Sequence, residues 1–298
     1  MIRVLGTVFA ALMGLAFGSF LNVCLTRWPA GESIVKPRSH CRNCGRTLAW
    51  WENVPLVSWL ALRGRCRTCG KWIGWRYVIV EIGVGALWTI SVWQALDPTL
   101  YPESQAVFYY NAVALVVGGL TLSWMLVALA VLDAENLWLP DWLTLPGVAL
   151  GFFFVVLHGT LGAAMPIVGK SGSMRYAAKQ TALNSTLGIL AAAVLILLIR
   201  WIYKLIRHRE GLGLGDAKLM AMLAAWLGLS GALLSFAIGV VLGSLAAIVL
   251  LVRRTEPATA ETWATAKLPL GTFLCIGGIV SSLWGQPIIA AYMRWGGF

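Results

Sequence analysis

Charged residues are scarce in this chain. Only 12% of its 298 residues are Asp, Glu, Lys or Arg, whereas 59% are hydrophobic. Soluble domains carry about 25% charged residues, so this composition excludes a soluble globular protein. Long apolar runs fill most of the remaining sequence, each near the ~20 residues that a helix needs to cross a bilayer. The composition therefore predicts an all-α polytopic protein in contact with the lipid bilayer.

Eight apolar runs are candidate membrane spans. A cleaved signal peptide is a weak alternative for the first run, because no small-residue cleavage site follows it and the next fifty residues are strongly basic. The boundary between the sixth and seventh runs, at Leu229-Ser230-Gly231, is the least clearly marked. The runs cover residues 4–26, 77–96, 107–132, 142–160, 182–203, 217–230, 232–252 and 268–293.

Acidic residues are scarcer than basic ones, with 12 Asp and Glu against 23 Lys and Arg, a net charge of +11. No aromatic-basic module accompanies this charge, so we expect no nucleic-acid partner. With eight spans, 18 of the 23 basic residues fall on the side that contains residues 27–76. The positive-inside rule then predicts that this side is cytoplasmic and that the N-terminus lies outside.

The six cysteines fall into two groups. Cys24 and Cys275 lie in apolar runs, where a free cysteine behaves as a small hydrophobic residue. The other four form two Cys-x-x-Cys-Gly motifs, separated by twenty-one residues within the polar segment 27–76. Their residues are Cys41, Cys44, Cys66 and Cys69.

Four thiolates at this spacing form a closed tetrahedral shell that suits Zn²⁺ and leaves no open coordination position. The sequence therefore predicts a structural zinc in a small domain, residues 27–76, whose core is too small to be stable unaided. The alternatives are two disulfides or four unrelated thiols, and a cytoplasmic location argues against disulfides. The three histidines, His40, His158 and His208, lack metal-ligand spacing to any partner.

Two aspartates lie at the ends of predicted spans. Asp216 follows the glycine-rich stretch Gly211-Leu-Gly213-Leu-Gly215, and Asp133 closes the third span. Asp216 could be only a helix N-cap. Asp133 lies at a helix C-terminus, where the helix dipole disfavours an acid, so helix capping does not explain its presence. Eight spans place both residues on the cytoplasmic face, where two carboxylates can share a proton and activate water.

By the same helix-end argument, we expect Asp216 to be the ionised member of the pair and Asp133 the protonated one. Gly213 and Gly215 would let an extended peptide approach the backbone closely. The glycine stretch matches neither a dinucleotide-binding fingerprint nor a phosphate loop. From the residues alone, a catalytic pair and two structural helix caps remain open.

At these residues the chain closely resembles the bacterial type IV prepilin peptidases, a bifunctional leader peptidase and N-methyltransferase family. The resemblance covers most of the chain. It rests on Gly18-Ser-Phe-Leu-Asn22-Val23 with Arg27 and Pro29, the four cysteines, Asn53-Val-Pro55, Gly64-Arg-Cys66, Arg76-Tyr77 with Glu81, Asp133 through Leu139-Pro-Asp141, and Gly213-Leu-Gly-Asp216-Ala-Lys-Leu219. The segment after Cys41 lacks a proline often found there, and Trp28 stands where leucine is common.

The resemblance implies an inner-membrane GxGD aspartic protease with Asp133 and Asp216 as its catalytic pair. Such enzymes remove the basic leader from prepilins and type II secretion pseudopilins, cutting after a glycine at the cytoplasmic face. They then methylate the new N-terminus with S-adenosylmethionine. The implied organisation is a first membrane helix (1–26), the zinc domain (27–76) and a transmembrane peptidase core (77–298).

Two alternatives remain at this point. One is a GxGD protease with another membrane substrate and no methyltransferase activity. The other is a non-enzymatic membrane scaffold whose zinc domain recruits partners. No glycine-rich strand–helix turn marks a site for S-adenosylmethionine, so the sequence assigns no residues to it.

Glu135, Asp141 and Glu210 are candidate contacts for a basic leader.

Overall fold

The computed structural model describes residues 1–97, 105–163, 173–208, 213–253 and 268–296. Within these ranges the regular structure is helical apart from two isolated β-bridges, which confirms the all-α prediction. A short 3₁₀ turn covers Trp50–Asn53. The α-helices are α1 (Ile2–Arg27), α2 (Val57–Ala61), α3 (Arg76–Ala95), α4 (Gln105–Asn136), α5 (Asp141–Ala163), α6 (Ser173–Arg207), α7 (Leu214–Arg253) and α8 (Leu270–Trp295).

In the described part of the chain, seven helices are long and apolar enough to cross a membrane, which confirms the multi-pass prediction. The sixth and seventh predicted spans lie together in the 40-residue helix α7. Its helical geometry is broken at Gly228, where φ is 71°, a conformation that favours glycine. The break therefore lies one residue before the predicted boundary.

Helix α4 ends later than the hydrophobic pattern predicts. The predicted span stops at residue 132, whereas α4 continues to Asn136. Ala134 and Glu135 are good helix formers, and the helix ends where Leu137 takes a positive φ of 51°. The N–H of Leu137 donates to the carbonyl of Asp133 at 2.9 Å. Asp133 is therefore in the last turn of α4 rather than beyond it.

The chain divides into two compact units, Met1–Ala128 and Leu129–Phe298. In the first unit, α1 and α3 pack through glycines. A Cβ added at Gly14 would lie 2.8 Å from the Cα of Gly85, and one at Gly18 would lie 2.8 Å from the Cα of Glu81. Small residues at such crossings let the two backbones approach closely, as in other membrane helix pairs. The four-cysteine segment connects these two helices.

The second unit is built around α7. Helix α8 packs closely against it, and a Cβ added at Gly277 would clash with the carbonyl oxygen of Ser235. Helices α5 and α6 also pack against α7, and the Trp226 indole donates to the carbonyl of Gly147 at 2.8 Å. This packing brings the last turn of α4 close to the first turns of α7 and α8.

Candidate active site and cysteine cluster

Asp133 is held by the first turn of α8. Its side chain is buried, and Oδ2 accepts a hydrogen bond from the backbone N–H of Thr272 at 2.7 Å. The Thr272 hydroxyl lies 3.2 Å from the same oxygen and 2.9 Å from the carbonyl of Ala130. The backbone of Gly271 also contributes a hydrogen bond to Asp133. These contacts come from the first turn of a helix, where unpaired N–H groups favour a carboxylate.

Asp216 is held by the start of its own helix. It is buried, and its Oδ2 accepts from the backbone N–H of Gly213 at 3.0 Å. Gly213 occupies the N-cap position of α7 and Asp216 the third helical position, so this bond is one half of a capping box. The sequence interpretation of Asp216 as the N-cap itself is therefore wrong by three residues. The hydrogen bond uses one carboxylate oxygen.

The structure brings Asp133 and Asp216 together within the second unit. The two carboxylates are close enough to interact electrostatically, and both lie near the fully buried thiol of Cys275. Losing one span between the two aspartates would have put them on opposite sides of the bilayer. Their proximity therefore agrees with the topology that the eight apolar runs predict.

Leu139 packs closely against two glycines beside this pair, Gly215 and Gly271. A Cβ on Gly215 would lie 3.1 Å from the Leu139 Cβ, and a Cβ on Gly271 would lie 2.9 Å from both Leu139 Cδ1 and Asp133 Oδ2. Gly215 is part of helix α7 and is packed against Leu139, whereas Gly213 is exposed. Of the two glycines expected to face a substrate, Gly213 has the accessible backbone, and the substrate role of both stays a prediction.

The structure does not support the expectation that Asp133 carries the proton of the pair. Asp133 was expected to be the protonated member because it lies at the C-terminus of α4. The structure adds the N-terminus of α8, whose field and N–H donor favour the opposite charge state. Both aspartates therefore receive a backbone N–H at a helix start. Coupled carboxylates titrate as a pair, so the proton belongs to the pair.

Sequence reasoning missed Gly271 and Thr272. Neither residue has a chemical signature of its own, since a backbone N–H donor is present at almost every position. The available pattern was Pro269-Leu-Gly-Thr at the start of the last apolar run. A proline followed by small residues marks a helix start, and helix starts hold orphan donors.

The acidic residues proposed to bind a basic leader differ in their surroundings. Asp141 Oδ1 forms an ion pair with Lys218 Nζ at 2.5 Å, which joins the first turns of α5 and α7. Lys218 therefore has a protein partner. Glu135 is exposed at the end of α4, and Glu210 lies outside the described residues.

The four predicted zinc ligands form a separate cluster in the first unit. Their sulfur atoms lie within 4.8 Å of one another. The two motifs have matching backbone hydrogen bonds. The Cys41 N–H donates to the carbonyl of Arg46 at 2.9 Å, and the Cys41 carbonyl accepts from the Gly45 N–H at 2.8 Å. In the second motif the Cys66 N–H donates to the carbonyl of Lys71, and the Cys66 carbonyl accepts from the Gly70 N–H, both at 2.9 Å. The glycines Gly45 and Gly70 have φ values of 71° and 65°. These positive values explain why glycine follows each second cysteine.

The chemistry of the cluster suits a metal cation. Backbone N–H groups of Cys69 and Thr68 lower the pKa of the Cys66 thiol to about 6. The thiolate is the form that binds metal. Cysteine is the only ligand type in the cluster, which favours zinc over magnesium or calcium. His40 contacts the carbonyl of Arg38 and is not part of the cluster.

A buried carboxylate supports the first cysteine motif. Glu52 accepts from the Arg46 guanidinium at 2.6 Å and from the backbone N–H of Ala49 at 2.7 Å. The hydrogen bond from Arg46 lowers the pKa of Glu52, so this carboxylate stays charged at neutral pH. Arg46 follows Cys44 by two residues. The ion pair therefore ties the motif to the 3₁₀ turn.

Two family models match the chain. The model of the bacterial peptidase A24 N-terminal domain matches residues 12–95, and that of the type IV leader peptidase family matches residues 120–248. The chain is also 31% identical to a prepilin leader peptidase/N-methyltransferase of Pseudomonas putida, over 97% of this chain and 94% of that protein. The chain belongs to the type IV leader peptidase family.

Other relatives extend the same result. Proteins with the same name from Xanthomonas campestris and Pseudomonas aeruginosa are 33% and 31% identical to the chain. The alignments cover 98% and 96% of this chain and 96% and 93% of the relatives. No solved structure matches. The family models place the cysteine cluster in the N-terminal match, and Asp133 and Asp216 in the peptidase match.

Proposed function

We propose that this chain removes the leader peptide from type IV prepilins and related pseudopilins and then N-methylates the new N-terminus. The single observation that carries the peptidase activity is the convergence of Asp133 and Asp216, two buried carboxylates from distant parts of the chain. Near-full-length relatives named for both activities support this function over a GxGD protease of other specificity. They also support it over a non-enzymatic scaffold.

The two carboxylates divide the work of peptide hydrolysis. One is ionised and takes a proton from the attacking water, while the other donates a hydrogen bond to the scissile carbonyl. Backbone N–H groups at helix starts orient both carboxylates, with Thr272 donating to Asp133 and Gly213 to Asp216. These fixed donors hold both groups in place before a substrate arrives. The reaction needs no covalent intermediate.

The proposed location is the bacterial inner membrane, with the N-terminus outside. The predicted topology puts Asp133 and Asp216 on the same side of the membrane as residues 27–76, and this side holds 18 of the 23 Lys and Arg residues. That excess supports a cytoplasmic position for the active site. A leader that stays in the cytoplasm then presents its scissile bond at the same membrane face. Exposed apolar side chains along α1 and α6, such as Leu12 at 63% and Leu190 at 56%, suit contact with lipid.

The cysteine cluster would hold a structural zinc ion. Four thiols that already converge would complete the coordination shell and leave no position for a substrate. The metal would stabilise the small segment between α1 and α3. The methyl group would come from S-adenosylmethionine, as the name of the relatives implies.

The test is to incubate the purified full-length protein in lipid vesicles with a prepilin and to read the product termini by mass spectrometry. We expect one cut after the glycine that ends the leader. Adding S-adenosylmethionine should raise the product mass by about 14 Da, one methyl group in place of a hydrogen. An uncut prepilin at matched zinc content would contradict the peptidase assignment, and a cut but unmethylated product would contradict the second activity.

A further inference from the structure

A cavity of about 490 Å³ lies in the first unit, and neither Asp133 nor Asp216 lines it. Its walls are the C-terminal half of α1, the first turns of α3 and the cysteine segment. This volume is within the roughly 300–1,000 Å³ of small-molecule sites. The residues that give the cavity its chemistry are Asn22, Glu81, Trp59, Trp72 and Tyr77.

Asn22 contributes a hydrogen-bond acceptor without a partner. Its side chain is 1% exposed, and its Nδ2 donates to the carbonyl of Tyr77 at 2.9 Å. A carbonyl can only accept, so the amide nitrogen must face it and the amide orientation is fixed. Oδ1 is then buried without a hydrogen-bond partner. Such an atom is costly unless a ligand or water donates to it.

Glu81 contributes a buried carboxyl group. It is 6% exposed, and one oxygen accepts from the backbone N–H of Leu56 at 2.8 Å. Ser19 supplies a second hydrogen bond. Both donors are neutral, so no cation is among these contacts. A cationic ligand would offset the cost of ionising a buried carboxyl group whose donors are neutral.

Aromatic rings complete the wall. Trp59 and Trp72 pack edge to face with centroids 5.6 Å apart, and the Trp59 indole donates to the carbonyl of Ile73. A Cβ on Gly64 would lie 2.6 Å from the Trp72 ring and 2.8 Å from the Trp59 ring, so glycine is needed for both rings to fit. Aromatic faces attract cations and stack on flat heterocycles.

We infer that this cavity binds S-adenosylmethionine, an inference that rests on the proposed methyl transfer. The molecule presents a sulfonium cation, an ammonium group that can donate to the Asn22 oxygen, and a flat adenine ring for the tryptophans. The Glu81 carboxylate and the aromatic faces favour the sulfonium. In the transfer, the lone pair of the neutral pilin amine forms the new N–C bond. The S–C bond breaks with its electron pair kept by sulfur, and the methylated amine releases its proton to water.

The charge on sulfur provides the sharpest test. S-adenosylmethionine carries a sulfonium, whereas its product S-adenosylhomocysteine has a neutral thioether and is otherwise the same molecule. Calorimetry with the full-length protein in lipid nanodiscs would measure both affinities for the wild type and for Glu81→Gln. Glutamine keeps an oxygen for the Leu56 N–H and removes the charge. We expect about a tenfold loss of affinity for the cation and a smaller loss for the thioether.

Controls separate this inference from a structural effect and from the proposed function. Asp97→Asn is the matched control, because Asp97 follows α3 at the end away from the cavity and pairs with Arg3 at 3.0 Å. It should leave both affinities unchanged. Glu81→Gln should also retain zinc and prepilin cleavage. Equal losses for the two ligands, or none, would overturn the assignment of Glu81.

A second measurement does not depend on the folding of a variant. Irradiation of the wild-type protein with radiolabelled S-adenosylmethionine and peptide mapping should place the label within residues 19–81. Label in residues 129–296 would overturn the cavity assignment and leave the proposed function intact. If the wild type binds no S-adenosylmethionine at all, methyl transfer is contradicted and this inference with it, while peptidase activity would still stand.

Discussion

The substitution Gly271→Ala adds one methyl group beside the proposed catalytic pair. The new Cβ would lie 2.9 Å from Asp133 Oδ2, 2.9 Å from Leu139 Cδ1 and 3.0 Å from Asp133 Cγ. Non-bonded carbon atoms prefer separations of about 3.5–4.0 Å. The neighbours must therefore move by roughly 0.5–1 Å. Leu139 can rotate, but the Asp133 carboxylate cannot move far without losing its bond to the Thr272 N–H.

We expect this displacement to lower kcat for prepilin cleavage by about a hundredfold, because a misplacement near 1 Å costs that much in a preorganised site. The fold should survive, since overpacking of this size costs about 1–3 kcal/mol. Cleavage would be followed with purified protein in vesicles, and unfolding with a thermal melt of the same preparation. Binding of S-adenosylmethionine should not change.

Gly83→Ala is the matched control. Gly83 also lies in a membrane helix, and a Cβ there would meet nothing within 4 Å. It should leave kcat unchanged and raise stability by up to about 1 kcal/mol, because alanine is the better helix former. Wild-type turnover in Gly271→Ala would refute the claim that close packing at this glycine sets the position of Asp133.

Two further substitutions test the supporting contacts. Thr272→Val keeps the backbone N–H but removes the hydroxyl near Asp133, and we expect kcat to fall about tenfold while zinc content stays the same; an unchanged kcat would leave the backbone N–H as the only necessary donor. Glu52→Gln removes the charge that pairs with Arg46, and a chelator should then extract zinc about tenfold faster, a modest figure because Arg46 is 31% exposed. Arg46 lowers the pKa of Glu52, so the wild-type contribution is present at neutral pH and is lost as pH falls through that lowered value. Zinc retention measured across an acid titration should therefore show a step that Glu52→Gln lacks, and identical titrations would contradict this role.

The sequence predicts the fold well where hydrophobic composition alone determines structure. The long apolar runs predict the membrane helices, and the boundary between the sixth and seventh runs lies within one residue of the break at Gly228. Spacing also predicts the four-cysteine cluster, because a Cys-x-x-Cys-Gly turn can be recognised from local residues. The extension of α4 past residue 132 was missed because hydrophobicity marks the membrane-facing part of a helix and not its end.

The active site could be predicted only in part. Asp133 and Asp216 stand out because an acid beside an apolar run is costly, so composition marks them. Thr272 and Gly271 act through a backbone donor and through the absence of a side chain, and such roles become visible only when α8 is packed against α4. The unpaired acceptor of Asn22 likewise becomes visible only in the folded structure, because the contact of its amide nitrogen with Tyr77 leaves the oxygen without a partner.

The most direct test of the central claim is the rate of prepilin cleavage by Asp133→Asn and Asp216→Asn beside the wild type. Asparagine keeps the size of each side chain and one acceptor oxygen for its backbone N–H, so both variants should fold and retain zinc. We expect each to lower cleavage by about 10²–10⁴-fold, because neither can exchange a proton with water. Wild-type cleavage by either variant at matched zinc content would show that its aspartate is only structural and would contradict the two-carboxylate mechanism.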